Sequence, residues 1–444
     1  MTERKTHLGE LLKQNIVTLI FVTLSLLCLA ISGMQVSSLI KELITRIARN
    51  GFLVLSLIIP VIAGIGLNFG IVVGAMAAQT AIIIVTLLGW TGFPSLLACF
   101  VISTPFAILF GYLTGKIFNM AKGQEMITGM MLGNLANGLY QLVFIVLIGT
   151  AFIPVVNSTI MLSTGIGLKN SIDLAPTIKY GLDGLIQIPT SIGLVIVGVL
   201  GIGLNVYRII KAKKQGNPIF KEILFACLFA GLAVLALLPS VSKGLANNNI
   251  PVVTMLVIAA LYVANGLFLK TRLGQNMRTV GNSMGVANAS GLNVNRIRII
   301  AVVISTVLAA WGQIINLQNI GTLQTFGSHE NVGLYSIAAI LVGGASVKRA
   351  TNSQALLGTI LFHALFIVSP QAGQVIFNDP QLGEYFRVFI AYGVIAVALA
   401  LHAWEQTKSM MASRKARQNA QGTPPAPPVP PAGGEPGADG VSTA

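Results

Sequence analysis

Apolar runs of about 20 residues, each long enough for a helical membrane crossing, follow one another along almost the whole chain. They predict spans near Asn15 to Met34, Gly51 to Leu67, Ile71 to Gly89, Ser95 to Gly115 and Met126 to Gly149. A polar loop from Phe152 to Gln187 follows, then spans near Ile188 to Tyr207, Ile223 to Leu238, Val252 to Leu269 and Ile299 to Gln318. The last group is Leu334 to Ala345, Ala355 to Ser369 and Val388 to Trp404. Leu334 to Ala345 is too short for a crossing at a rise of about 1.5 Å per residue, so it is expected to be broken or completed by the adjacent loop. The pattern as a whole predicts an all-α, polytopic transmembrane helical bundle of about 10–12 spans, including broken, glycine-interrupted helices.

Composition narrows the class. Of 444 residues, 54 % are apolar and 9 % charged, against about 25 % charged in a soluble domain. No Asp, Glu, Lys or Arg occurs between Asn50 and Gly115. The first apolar run follows Arg4, Lys5 and Lys13 but lacks a small-x-small cleavage site, so it is expected to stay as a span. The formal charge of +15 sits in short loops between apolar runs instead of on one soluble face. That distribution argues against a nucleic-acid partner and for a protein oriented in a membrane.

Loops alternating to one side hold Arg208, Lys211, Lys213, Lys214 and Lys221, then Lys270, Arg272, Arg278, Arg296 and Arg298, then Lys348 and Arg349. Those between them hold Lys243 alone. The positive-inside rule then places both termini in the cytoplasm, although Lys41, Arg46 and Arg49 fall on the outer side. Residues 1–14 form a cytoplasmic segment and residues 15–404 the membrane domain, with an inward loop at 270–298. Residues 405–444 form a tail, first basic and then PPAPPVPPAGGEPGADG, that is expected to be disordered.

Catalytic chemistry has no support in this pattern. His7, His329, His363 and His402 show no ligand spacing, and Cys28, Cys99 and Cys227 lie far apart in apolar runs, so no metal and no cofactor are expected in this chain. An ion-driven carrier ordinarily holds Asp or Glu inside the membrane. Here all 13 carboxylates lie in loops, tails or span ends, with Glu125 and Glu222 at first helical turns where the dipole favours negative charge. The phosphate-binding pattern GxxxxGK[ST] is absent. A pumping role therefore requires ATP and Mg to be handled by a partner ATPase, and the alternative is a secondary carrier or channel-like subunit without ATP coupling.

Two features remain as candidates for the transport path. Asn134, Asn137 and Gln141 stand at i, i+3 and i+7 on one helical face, where they either line a pathway or join helices. Asn68, Phe69 and Gln79 extend that set. Gly64, Gly66, Gly70 and Gly74 interrupt an early apolar segment, and Gly343 with Gly344 a late one. Paired interruptions suit a midplane site between repeats, and small-xxx-small pairs such as Gly70/Gly74, Gly111/Gly115 and Gly129/Gly133 suit close helix packing.

The inward segment from Thr271 to Arg298 carries its own helix signals. Asn282 or Ser283 can cap a short helix through Ala289, and Gly291 can end it in a left-handed C-cap. The run TRLGQNMRTVGNSMGVANASGLNVNRIRI resembles the coupling region of the permease subunits of ABC importers of the branched-chain amino acid, simple sugar and nucleoside class. GLNFGIVVGAMAAQ (Gly66 to Gln79) and IAAILVGGAS (Ile337 to Ser346) resemble that family's early and late glycine motifs. The likeness covers roughly residues 50 to 404.

The resemblance implies a pair of permease subunits, identical or homologous, with a cytoplasmic ABC ATPase and an extracytoplasmic substrate-binding protein. It maps the coupling helix onto Gly281 to Gly291, with Gly281, Asn282, Ser283, Met284, Ala287, Ser290 and Gly291 as coupling residues. A charge placed at Met284 or Ala287 is expected to uncouple ATP hydrolysis from uptake. Asn68-Phe69-Gly70 resembles the nucleoside-type branch more than the ribose-type one. The spans near Ile188 to Tyr207 and Ile223 to Leu238 exceed the compact sugar-permease pattern.

Overall fold

The computed structural model describes residues 16–155, 157, 159–214, 220–379 and 381–389, with a few helical positions beyond. Residues 1–14 and, Met411 apart, the tail from Gln406 lie outside the described residues. The chain divides into a unit of residues 1–398, described below, and a unit of residues 399–444 in which Ala400, Trp404 and Met411 are helical.

Among the described residues the first unit holds, besides the helical residues 381–389, fifteen named α-helices. They are α1 (Ile16–Ser32), α2 (Val36–Ser56), α3 (Ile58–Ile62), α4 (Ile71–Leu87), α5 (Gly92–Met120), α6 (Glu125–Gln141), α7 (Thr190–Lys214) and α8 (Phe220–Leu237). There follow α9 (Pro239–Leu245), α10 (Val252–Phe268), α11 (Arg272–Asn282), α12 (Met284–Ala289), α13 (Val294–Ile320), α14 (Glu330–Val342) and α15 (Asn352–Phe377). Helix α6 runs on as a π-helical turn, Leu142–Leu147.

Six of these segments are long and apolar enough to cross a membrane alone: α2 with α3, α5, α6 with its π turn, α7, α13 and α15. Helices α10 and α11, bent by 75° at their junction, make a seventh if taken together. That is fewer than the apolar runs suggest, because α1, α4 and α14 are shorter apolar helices, α8 is not among the six, and much of the expected span from Val388 to Trp404 lies outside the described residues. The two glycine motifs account for α4 and α14. Gly64 (φ +74°) and Gly66 (φ +83°) hold left-handed turns in the loop before α4, and Gly344 (φ +84°) does so just after α14.

Helix α4 is apolar on every side and almost wholly buried, so it forms the axis of the bundle, packed by α5 and α13. Helices α5 and α13 touch at small residues. A Cβ on Gly111 would stand 2.9 Å from Val303 Cα, and one on Gly115 3.0 Å from Ile299 Cα. Such close approach lets backbone pack on backbone where lipid gives no hydrophobic drive to association. Helices α7 and α8 pack chiefly on each other and meet α2 and α9 through Ile44, Leu194, Ala236 and Leu245.

One end of the bundle is closed by two short antiparallel strand pairs. β1 (Ser171–Asp173) pairs with β4 (Thr322–Gln324), and β2 (Gln187–Pro189) with β3 (Asn249–Pro251). The polar loop of the sequence reading is thus an ordered cap, with Ile160, Leu168, Ile172, Leu174 and Ile178 buried beneath it. Its pairing partners lie far along the chain, so hydropathy gives no sign of them. Asp183, 3 % exposed, ties the cap down by accepting from Thr254 and Asn319, and Arg49 Nε donates to Asn319 Oδ1 at 2.5 Å.

At the opposite end three caps in series build α11, α12 and α13. Thr271, Ser283 and Asn293 each accept from a backbone N–H of the following first turn, at 3.3, 3.3 and 3.0 Å. Gly291 (φ +76°) ends the α12 turn, in the place the sequence pattern gives it. Helix α11 has no counterpart in the sequence reading, which treats 271–281 as loop.

The α5–α13 contact predicts that Gly111→Val separates the two helices and lowers stability by roughly 1–3 kcal/mol. Unfolding in mixed micelles measures this, with Gly138→Ala as a control because no atom lies within 4 Å of its added Cβ.

Candidate solute pathway and coupling surface

Helix α6 is an edge helix whose apolar residues Met131, Leu135 and Leu139 are exposed. Its polar stripe faces the start of α14. Asn137 Nδ2 donates to Glu330 Oε1 at 3.2 Å, and Gln141 Nε2 donates to Asn137 Oδ1 at 3.3 Å. His329, fully buried just ahead of α14, lies between two amides, with Nε2 2.9 Å from Asn137 Oδ1 and Nδ1 2.9 Å from the side chain of Gln79 on α4.

The chemistry of these groups fixes the tautomer. Because Asn137 Nδ2 serves Glu330, its Oδ1 must accept, so His329 carries its proton on Nε2. The Nδ1 lone pair then calls for a donor. Gln79 Nε2, which has no other partner, supplies it once the amide is assigned with its nitrogen toward the ring. The Tyr140 ring packs on the imidazole at a centroid distance of 5.1 Å.

These groups border a cavity of about 380 Å³ lined by Phe69, Asn134, Asn137, His329, Glu330 and Asn331, among others. The volume falls in the range of about 300–1,000 Å³ typical of small-molecule sites. Phe69, Asn134 and Asn137 thus come together, with Gln79 and Gln141 one hydrogen bond behind. Asn68 does not join them. It is 1 % exposed and directs Nδ2 to Ser305 Oγ at 3.5 Å, inside the contact with α13.

His329 and Glu330 are the members that sequence reasoning missed. The signal available was an adjacent imidazole and carboxylate opening an apolar run too short to cross. An apolar pocket of about 340 Å³, bordered by Phe106, Phe110, Leu132 and Leu139, offers only the hydroxyls of Thr80, Thr114 and Tyr140.

The residues of the proposed coupling set lie around α12 at the opposite end from the strand pairs. Asn282, Ser283, Met284 and Ser290 are exposed, as is Val286 at 59 %. Ala287 is fully buried, so a charge placed there breaks the packing of α12 instead of its surface. Gly281 is a contact residue, since a Cβ would overlap the Ile62 carbonyl oxygen and lie 2.9 Å from Gly64 N. Arg298 on α13, 1 % exposed, pairs with Glu125 at the start of α6 and directs Nη1 to Met284 Sδ at 3.2 Å. Among the described residues no cluster of His, Cys, Asp or Glu could hold a metal ion.

Residues 39–399 match the family described as the branched-chain amino acid transport system permease component. The chain belongs to this family. The permease is 29 % identical over 151 residues to the xylose transport system permease protein XylH of Haemophilus influenzae, a match covering 34 % of this chain and 37 % of that one. It is 30 % identical over 146 residues to the autoinducer 2 import system permease protein LsrC of Klebsiella pneumoniae, covering 33 % and 40 %. It is 25 % identical over 156 residues to the nucleoside ABC transporter permease protein NupB of Lactococcus lactis, covering 34 % and 40 %. Each match thus spans about two fifths of the relative's length. No solved structure matches the permease significantly. The family is one of multi-pass membrane transport subunits, which are non-catalytic.

Burial pushes the His329 imidazolium down to about 4 from its ordinary 6.5. The folded protein thus resists a proton that the unfolded chain accepts, and stability falls as pH drops from about 6.5 toward 4. The expected outcome is a melting midpoint in detergent that declines across this interval in the wild type and is flatter in His329→Gln.

Proposed function

We propose that the permease passes a small, neutral, polyhydroxylated solute, a simple sugar or nucleoside, along the α6–α14 cavity. A separate ATPase supplies the energy and an extracytoplasmic protein delivers the solute. The observation that carries this reading is the convergence of Asn134, Asn137, His329 and Glu330 on one cavity in an otherwise apolar bundle. Amide and carboxyl groups offer paired acceptors and donors suited to hydroxyls, and Phe69 adds an apolar wall for a ring face. The relatives named for xylose and for nucleosides support the same solute class.

The end that holds α12 is the cytoplasmic one in this reading. It carries Lys122, Lys270, Arg272, Arg278, Arg296, Lys348 and Arg349. Two of the three outer-side cations that run against the rule are engaged in the fold, Arg49 with Asn319 and Arg46 over the Phe366 ring at 5.1 Å. Exposed α12, held by its own caps, is the docking element for the ATPase. The open face of α6 receives the second permease subunit, which closes the cavity. ATP and Mg act in the partner, and solute affinity resides mainly in the delivery protein.

Tagged purification in mild detergent should bring down an ATPase subunit, and Val286→Glu should abolish that association with no shift in the permease's melting midpoint. In proteoliposomes, Asn137→Ala should slow ATP-dependent uptake of the sugar or nucleoside about tenfold, the loss of one hydrogen-bonding partner. A permease that copurifies with no ATPase and moves solute down its gradient would identify a carrier or channel instead.

A further inference from the structure

We propose that Arg298 is a positioning residue that carries movement of α12 to α6, and hence to Asn134 and Asn137 in the cavity. The inference rests on the transport reading above and adds the route by which the docking end reaches the solute path.

One guanidinium joins four segments. Arg298 Nη2 meets the Glu125 carboxylate, on the first residue of α6, and the Phe118 carbonyl at 3.4 Å, near the end of α5. Its Nη1 meets Met284 Sδ, on the first residue of α12. Arg298 itself stands on α13, one turn from the Asn293 cap. The other carboxylate oxygen of Glu125 closes back on Gly123 N at 2.9 Å, so the start of α6 is tied to this one charge.

The bonds differ in strength, and that difference gives the joint a direction. The bond to Glu125 is charge-assisted and buried, and so resists breaking. A thioether is a weak acceptor on a flexible chain, and its contact can be made and broken at little cost. Movement of α12 therefore changes what Nη1 touches while Glu125 stays attached, and the guanidinium shifts with its carboxylate. Helix α6 is the element free to follow, since within the chain only Glu125, Gly129, Gly133 and Tyr140 of its residues are buried. As a rigid rod it brings the shift to Asn134 and Asn137, roughly 14 and 18 Å along at about 1.5 Å per residue.

A pure staple between helices makes a different prediction from a link. An apolar pair of similar volume replaces a buried ion pair with little loss of stability. The test is Glu125→Met with Arg298→Met, assembled with the ATPase and delivery protein in proteoliposomes. Uptake, ATP hydrolysis and their ratio are measured together. A link predicts an assembled complex with near-normal basal hydrolysis but about tenfold less solute moved per ATP, within the range of ordinary coupling energies. Wild-type uptake per ATP in that double variant overturns the proposal and leaves the transport reading intact.

If the double variant does not assemble, Arg298→Lys decides. It keeps the charge on Glu125 but gives up the fork that also reaches Met284 and Phe118. Uncoupled hydrolysis in Arg298→Lys supports the link, and a wild-type ratio overturns it. A wild-type permease that binds no ATPase overturns both this proposal and the transport reading.

Discussion

In lipid, no water is present to satisfy a backbone N–H or C=O, so a helix that stops inside the bundle must find partners within the protein. Two elements of this permease stop that way. Helix α4 starts at Ile71 after a glycine-rich loop, and α14 ends at Val342 before another. Their free groups are met locally and across the chain. Ile65 N donates to Pro60 O at 3.1 Å, Ile71 N to Asn68 O at 3.3 Å, and the Gly344 carbonyl accepts from Gln354 Nε2 at 2.7 Å. Gln354 also completes the Thr351 capping box of α15. The two loops meet where a Cβ on Gly66 would stand 3.0 Å from Val347 Cγ1. The start of α15 and the course of α11, whose Gly281 packs on Ile62 and Gly64, are tied to these breaks.

The same constraint shapes the polar interior. Asn137, Gln141, His329, Gln79 and Glu330 satisfy one another within the fold. An open cavity at the edge of this network offers hydrogen-bonding groups without leaving a large unpaired set in a low-dielectric environment. The network runs from Gln79 on the α4 axis through His329 to α6, whose Met131, Leu135 and Leu139 remain exposed.

The two ends of the bundle are built by different means. Strand pairs and the Asp183 hub hold the 148–189 cap rigidly to Thr254 and Asn319. Short capped helices and one buried charge hold the other end, where the bonds are fewer and one of them is to sulfur.

Composition and the length of apolar runs determined the membrane environment and the helical class, because burial in lipid demands long uncharged helices whatever their arrangement; the family was legible only in the likeness of the runs at 66–79, 271–299 and 337–346. Local chemistry also determined the α12 turn, since Ser283 and Gly291 act on neighbours only a few residues away. The face shared by Asn134, Asn137 and Gln141 was readable for the same reason. Tertiary structure alone decided that Asn68 turns toward α13, that His329 and Glu330 join the α6 stripe, and that Ala287 points inward. It also decided that Glu125 and Arg298, 173 residues apart, form one ion pair. Helical periodicity gives the face on which a residue lies, and only the packing of distant helices gives what that face meets.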